Sequence, residues 1–187
     1  MKESFFMLDQ SEGSHGIETL IDYQLSWVMR VPANPNIKKQ KPILYKNCRS
    51  ILFQLMGCDD HNQLVKSVAV KKQWKRIDLI AEITIENEDV EETYVVVQEN
   101  KAYTKIHDNQ LVRYKTIIDE HYDSKQWGEE RVFNVFTIAE PNTNLYHEIE
   151  TACQDAGWKL ICYEDLQFPI EPDTESDLFN EFWLRSW

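Results

Sequence analysis

Three charged residues in two neighbouring apolar segments have the types and spacing for phosphate chemistry. Asp78 lies in residues 76–85, and Glu99 and Lys101 lie in residues 93–103. Carboxylates at the end of an apolar strand are unfavourable to bury, and two side by side repel each other. Protonation, a lysine or a divalent metal ion relieves that repulsion. A few hard oxygen ligands, with room left for water and phosphate, suit Mg²⁺ or Mn²⁺ better than zinc.

The segment between these two residue groups determines whether they meet in space. Residues 86–92, ENEDVEE, are too charged for anything but a turn, so the flanking strands should form an antiparallel hairpin. If Ile85 and Thr93 pair beside the turn, the numbers of paired residues sum to about 178, which places Asp78 opposite residue 100, give or take two. A sum one lower would put Asp78 on the face that Glu99 and Lys101 share, since side chains alternate along a strand. The alternative is an ordinary cross-strand ion pair.

A helix over residues 14–30 precedes the strands and supplies further candidate side chains. His15, Glu18 and Asp22 lie along one edge of its apolar stripe, so this edge could face a cleft. The stripe itself has the 3.6-residue spacing of an amphipathic helix and consists of Ile17, Leu20, Ile21, Leu25 and Val28.

The remaining segments predict a mixed α/β fold. Residues 31–41, with Pro32 and Pro35, are predicted to be a loop. The other predicted elements are a helix from Pro42 to Gly57, a strand over 64–71, a helix from an N-cap at Asp108 to Tyr122, a strand over 131–139, a helix over 144–156 closed by Gly157, a strand over 158–163, and a helix past Pro172 that carries Leu178, Phe179, Phe182, Trp183 and Trp187. The order α, α, βββ, α, β, α, β, α requires a mixed sheet flanked by helices.

Length and composition indicate one globular domain over residues 1–187, with 42% apolar residues and only 5 Gly and 6 Pro. No apolar run reaches the length of a membrane span, and the N-terminus lacks a basic region followed by an apolar stretch, so we expect no membrane association and a cytoplasmic location. The four cysteines form no CxxC pair and have no histidines at metal-ligand spacing, which argues against a zinc site or a disulfide scaffold.

The net charge of −12 opposes nucleic-acid binding, but the charge is unevenly distributed. Residues 36–76 contain ten Lys or Arg against two acids, whereas residues 140–187 contain two against eleven. We therefore expect one basic and one acidic face, the alternative being that both are merely solvated.

The ordered set of motifs resembles the PD-(D/E)xK nuclease superfamily over about residues 10–165. That superfamily has a restriction-endonuclease-like αβββαβ core, with an acid at the start of the second strand and an ExK on the third. The matching residues are Asp78, the Glu99-Asn100-Lys101 triplet, the helical acid Glu18, and Gln110 and Tyr114, which are similar to the QxxxY motif of the RecB-like and λ-exonuclease-like branches. The stretch QENKAYTKIHDNQLVRY is close to a bacterial and phage subgroup. Ile77 stands where the eponymous proline would be.

The resemblance implies a Mg²⁺- or Mn²⁺-dependent nuclease, and we expect its substrate to be DNA and not RNA. Asp78, Glu99 and the backbone carbonyl of Asn100 would hold the metal, and Glu18 would complete the shell directly or through water. Lys101 would orient or deprotonate the attacking water. The resemblance also implies contact with the phosphate or strand end for Gln110 and Tyr114. Four basic residues run into the second strand and could guide the substrate backbone to the metal: Lys71, Lys72, Lys75 and Arg76.

Less specific interpretations of the same residues remain. Tyr114 could simply pack on the sheet while Gln110 is solvated. The domain could also be an inactive nuclease-fold subunit or interaction module, with the acidic C-terminal third, including Trp183 and Trp187, as a docking surface for a protein partner. A small-molecule enzyme on another α/β fold has no support, because the chain contains no GxGxxG, P-loop or GxSxG motif.

Overall fold

A computed structural model describes residues 17–102, 104–107, 109–122, 131–138, 144–167 and 174–184. The helices are α1 (Ile17–Arg30), α2 (Pro35–Gln40), α3 (Pro42–Met56), α4 (Gln110–His121), α5 (Asn144–Ala156), α6 (Tyr163–Gln167) and α7 (Asp177–Trp183). The strands are β1 (Leu64–Trp74), β2 (Ile77–Asn87), β3 (Val90–Lys101), β4 (Val132–Ile138) and β5 (Lys159–Cys162). No helix in these ranges is long and apolar enough to span a bilayer.

The strands form one mixed sheet in the order β1-β2-β3-β4-β5. β1, β2 and β3 are an antiparallel meander, while β4 and β5 join it in parallel. One face of the sheet packs against α1, α3 and α7, and the other packs against α4 and α5. The predicted mixed sheet flanked by helices is confirmed.

The helix α1 has the predicted amphipathic character, because Ile21, Leu25 and Val28 are fully buried. His15 lies outside the described residues. The predicted helix α3 is also confirmed, and it ends at Gly57, whose φ of 66° is left-handed. Glycine adopts this conformation without the steric penalty of a side chain, which is why it ends helices so often.

The predicted loop over residues 31–41 is wrong, because this stretch contains a 3-10 turn (Val31–Ala33) and α2. Pro35 occupies the first turn of α2, where its missing N–H removes no helical hydrogen bond. The side chain of Asn34 caps the helix by accepting hydrogen bonds from the backbone N–H groups of Asn36 and Ile37, at 3.0 and 3.3 Å. Proline here starts a helix instead of breaking one.

The predicted turn over residues 86–92 is too long, because only Glu88 and Asp89 connect β2 to β3. Both have positive φ, 48° and 66°, as a tight hairpin turn requires. The strands extend through the acidic stretch because the Lys66 ammonium on β1 bonds to Glu86, at 2.8 Å, and also to Glu91. The lysine reduces the repulsion between these two glutamates, which face each other across the strands.

The C-terminal helix α7 docks on the core, as predicted. Phe179 and Phe182 are fully buried and Trp183 is 1% exposed. The ring of Phe179 lies 6.4 Å from that of Trp27 on α1, so α7 supports the helix that carries Glu18. Because it is buried, Trp183 is not available as part of a docking surface for a protein partner; Trp187 lies outside the described residues.

We expect Trp183→Ala to lower the free energy of unfolding by about 3–5 kcal/mol, because a large buried ring is replaced by a cavity. Urea denaturation measures the change. Leu178→Ala is the matched control, since Leu178 lies on the same helix but is 46% exposed, and it should change the free energy by less than about 1 kcal/mol. Equal effects of the two substitutions would contradict the docking of α7.

Candidate active site

The register of β2 and β3 brings Asp78 and Glu99 together. Leu79 pairs with Gln98 and Ile85 with Glu92, so each pair of residue numbers sums to 177, one less than the pairing of Ile85 with Thr93 would give. Asp78 therefore follows in register opposite Glu99, on the face that Glu99 shares with Lys101. This face packs against α4.

The carboxylate of Glu99 is 1% exposed and only half satisfied. Its Oε1 accepts hydrogen bonds from Lys101 Nζ at 2.9 Å and from Gln110 Nε2 at 2.6 Å. Its Oε2 is buried and has no hydrogen-bond partner among the described residues. Burial, and then the charge of Asp78, raise the pKa of Glu99 to about 8, although Lys101 acts in the opposite direction. A buried acid oxygen without a donor is the kind of atom that a cation would stabilise.

Asp78 is held at the start of β2 by two hydrogen bonds. Its Oδ2 accepts one from the backbone N–H of Asn100 at 2.9 Å, and its Oδ1 accepts one from Gln73 Nε2 at 2.9 Å. Gln73 lies on β1 and has a positive φ of 52°. Lys75 and Arg76, in the turn between β1 and β2, also have positive φ, 51° and 72°. Gln73 was not selected from the sequence. Its only signal there was its position two residues before the β1–β2 turn.

Lys101 lies between two carboxylates. Its Nζ is 2.9 Å from Glu99 Oε1 and 4.0 Å from Glu18 Oε2. Burial alone would lower its pKa, but Glu99 and then Glu18 offset this and leave the pKa raised. The ammonium group is therefore protonated at neutral pH. Glu18, for its part, accepts hydrogen bonds through Oε1 from Thr104 Oγ1, at 2.6 Å, and from the backbone N–H of Ala102, at 3.3 Å.

A buried polar network lies on the opposite face of β3, behind the site. Asn100 Nδ2 donates to Asp22 Oδ1 at 2.6 Å, and Asn100 Oδ1 accepts from Gln98, at 3.0 Å, and from Thr137. Burial, and then repulsion from Asp78, raise the pKa of Asp22 to about 7. The sequence placed Asp22 on the same helix edge as Glu18 but did not select it as a site residue. Its spacing of four residues from Glu18 was the available signal.

The side chains of Gln110 and Tyr114 lie on the α4 face that meets Glu99. Gln110 is 5% exposed and therefore not solvated, and it donates to Tyr114 as well as to Glu99. The Tyr114 hydroxyl donates to the backbone carbonyl of Arg76 at 2.6 Å. The two residues thus connect α4 to the Glu99 carboxylate and to the turn before β2.

The structure separates the four basic residues that were predicted to guide the substrate. Lys71 bonds to Glu82 at 2.9 Å, on the α4 face of the sheet. Lys72 lies on the other side, with its Nζ 3.0 Å from the ring centroid of Tyr23. Lys75 lies over the ring of Trp74 at 4.8 Å, and it shares the β1–β2 turn with Arg76.

Within the described ranges, no three or more His, Cys, Asp or Glu side chains are arranged as a ready-made metal site. Glu18 in particular has its Oε1 engaged by Thr104 and Ala102. The acidic pair nevertheless fits a hard divalent ion, since Glu99 Oε2 is buried with no donor from the described residues, and the charge of Asp78 destabilises the ionised form of Glu99. The donor set is therefore suited to Mg²⁺ or Mn²⁺ at Asp78 and Glu99.

A helix, a three-stranded meander, a second helix and a parallel strand, with acids at the ends of β2 and β3, are the architecture of a restriction-endonuclease-like fold. A family model described as the PD-(D/E)XK nuclease superfamily matches residues 31–176. The chain belongs to this superfamily. No curated protein matches the sequence, and no solved structure matches it either.

Proposed function

We propose that the protein is a metal-dependent deoxyribonuclease that hydrolyses phosphodiester bonds of DNA. Membership of the PD-(D/E)XK superfamily supports a nuclease. The observation that carries the proposal is the buried Glu99 Oε2, which has no hydrogen-bond donor in the described part of the chain and lies in the field of Asp78. A buried, half-satisfied carboxylate beside a second acid is unfavourable in the protein alone, and a bound divalent ion would compensate for it.

Asp78, Glu99 and the backbone carbonyl of Asn100 would hold Mg²⁺ or Mn²⁺. When bound there, a divalent ion would supply a water of lowered pKa and neutralise charge on the scissile phosphate. Glu18 is bound to Thr104 and Ala102 through Oε1, so its other oxygen, Oε2, is the one that would reach the site through water.

The chain's own residues orient the reacting groups. Lys101, protonated between Glu99 and Glu18, would offset negative charge that develops on the phosphate. The Gln110 amide keeps Glu99 Oε1 in place, which supports its inclusion with Tyr114 in a QxxxY-like pair. Assignment to the RecB-like branch stays a prediction.

Basic residues near the β1–β2 turn would bind the DNA backbone. Lys72, Lys75 and Arg76 are proposed for this role, whereas Lys71 is already paired with Glu82. We also propose a cytoplasmic location for the protein. A protein partner at the acidic C-terminal third stays a prediction from the sequence.

A nuclease assay with controlled metal content tests the proposal. The purified chain should cleave single- or double-stranded DNA when Mg²⁺ or Mn²⁺ is supplied and should not cleave it in EDTA. Calorimetry should detect binding of the same ions. If the protein neither cleaves DNA nor binds Mg²⁺ or Mn²⁺, the proposal fails and the fold serves as an inactive subunit or interaction module.

A further inference from the structure

Tyr23 is an exposed aromatic side chain that neither the core nor the proposed catalytic groups account for. It follows Asp22 on α1 and is 62% exposed. Among the large apolar side chains exposed in the described part of the chain, Tyr23 is the aromatic one; the others are Leu64, Val90, Val112 and Leu178. An aromatic ring in water beside an acidic site is a candidate contact surface for a ligand.

A cation lies directly against this ring. Lys72 Nζ is 3.0 Å from the Tyr23 ring centroid, and its charge also partly offsets the burial that raises the pKa of Asp22. The ammonium group therefore interacts with both the Tyr23 ring and the Asp22 carboxylate. Attraction to Asp22 explains the position of Lys72, but it does not explain why Tyr23 stays exposed.

The segment that carries Lys72 is locally basic. Trp74, two residues beyond Lys72, packs with α4 on the opposite face of the sheet, 4.7 Å from the ring of His121, and is not part of this surface. Residues 67–77 contain four basic side chains and no acid, although the chain as a whole carries a net charge of −12. An exposed ring with a cation against it is typical of surfaces that bind the backbone and bases of a nucleic-acid strand.

We infer that Tyr23 and Lys72 bind one nucleotide of a single-stranded DNA segment beside the acidic site, with its base stacked on the Tyr23 ring and its phosphate paired with the Lys72 ammonium. This inference rests on the proposed nuclease function. The occupant is a single strand because the bases of a duplex are already stacked on each other, so a solvent-facing ring can stack only on an unpaired base. Every base has a π-face, so the contact is tolerant of sequence.

Fluorescence anisotropy with a labelled deoxythymidine oligonucleotide of about 15 nucleotides tests the inference. The full chain carrying Glu99→Gln serves as the parent, in Mg²⁺, so that the strand is not cut. We expect Tyr23→Ala to weaken binding about ten-fold or more and Tyr23→Phe to weaken it less than about two-fold. Lys72→Met should also weaken binding. Lys66→Met is its control, because Lys66 lies on the same strand but is paired with Glu86 and Glu91 near the β2–β3 turn.

Two further measurements separate stacking on Tyr23 from general charge attraction. Binding of a duplex of the same length should change less than about two-fold with Tyr23→Ala. Photocrosslinking of a 5-iodouracil oligonucleotide should modify the peptide that contains Tyr23. Circular dichroism melting should show that Tyr23→Ala stays folded, as expected for an exposed side chain.

The inference is overturned if the parent does not bind the oligonucleotide, if Tyr23→Ala binds as well as Tyr23→Phe, or if single-strand and duplex binding weaken equally. These outcomes are independent of the proposed function, which depends on metal-dependent cleavage by the unaltered chain. If the unaltered chain cleaves DNA but Tyr23→Ala binds the oligonucleotide as well as its parent does, only the stacking contact is refuted. If Tyr23→Ala binds the oligonucleotide more weakly but the unaltered chain does not cleave DNA, only the proposed nuclease function is refuted.

Discussion

Glu99→Gln should reduce metal-dependent DNA hydrolysis by about 10²-fold or more while leaving the fold intact. The glutamine keeps the shape of the side chain but removes the charge that would hold a divalent ion at Oε2, the oxygen to which no described residue donates. Asp78→Asn should have a similar effect, since Asp78 is the second acid. Lys101→Met should also reduce hydrolysis, because it removes the ammonium 2.9 Å from Glu99. Initial rates on labelled DNA at saturating Mg²⁺ measure all three.

Glu82→Gln is the matched control for these substitutions. Glu82 lies on β2 in the same hairpin, but its carboxylate bonds to Lys71 and Tyr122 instead of the site residues. Its substitution should change the rate by less than about three-fold, in keeping with a surface contact. If the Asp78, Glu99 and Lys101 variants cut DNA at the rate of the parent, these residues do not form the active site.

The metal-free protein should become less stable as the pH rises from about 5 to about 8, by about 2 kcal/mol or more. Burial and then the charge of Asp78 raise the pKa of Asp22 to about 7 and that of Glu99 to about 8. In the unfolded chain both groups lose their protons near pH 4. Between these values the native state binds more protons than the unfolded state, so raising the pH favours unfolding. Urea denaturation in EDTA at several pH values measures the slope.

Bound Mg²⁺ should flatten this pH dependence, and so should isosteric substitution of either acid. Saturating Mg²⁺ should restore stability at pH 8, because an ion at Asp78 and Glu99 binds the native state and favours the ionised acids. Glu99→Gln and Asp22→Asn should each be more stable than the parent at pH 8 in EDTA. The carboxylates of Asp60 and Glu82, whose pKa values are lowered, lose their contribution only in more acidic solution, outside this window. A parent whose stability is constant or rises over this range would contradict the prediction.

The opposing expectations for Glu99 connect stability with function. The same substitution that should remove activity should also stabilise the metal-free protein, since it eliminates a buried charge of which the described residues satisfy one oxygen. Natural active sites commonly retain such destabilising groups because their chemistry needs them.

Local periodicity and turn chemistry predicted most of the elements from the sequence. The apolar stripe of α1, the start of α3 at Pro42 with its end at Gly57, and the pairing of β2 with β3 all follow from rules that act within a few residues. Because the hairpin register needs only the turn and the two-residue alternation, the proximity of Asp78 to Glu99 and Lys101 could also be predicted. The loop over 31–41 was mispredicted because proline both ends and begins helices.

The tertiary structure decided which side chains complete the site. The contact of Asp22 with Asn100 joins residues 78 positions apart, and it depends on how α1 packs against the sheet, which no local pattern specifies. Lys66 reaches Glu86 and Glu91 of the acidic hairpin from β1. Two adjacent lysines, Lys71 and Lys72, have different partners because alternation places them on opposite faces, and only packing shows what each face meets. The sequence by itself therefore determined the elements and the acidic hairpin, whereas the hydrogen-bond partners of each carboxylate required the assembled fold.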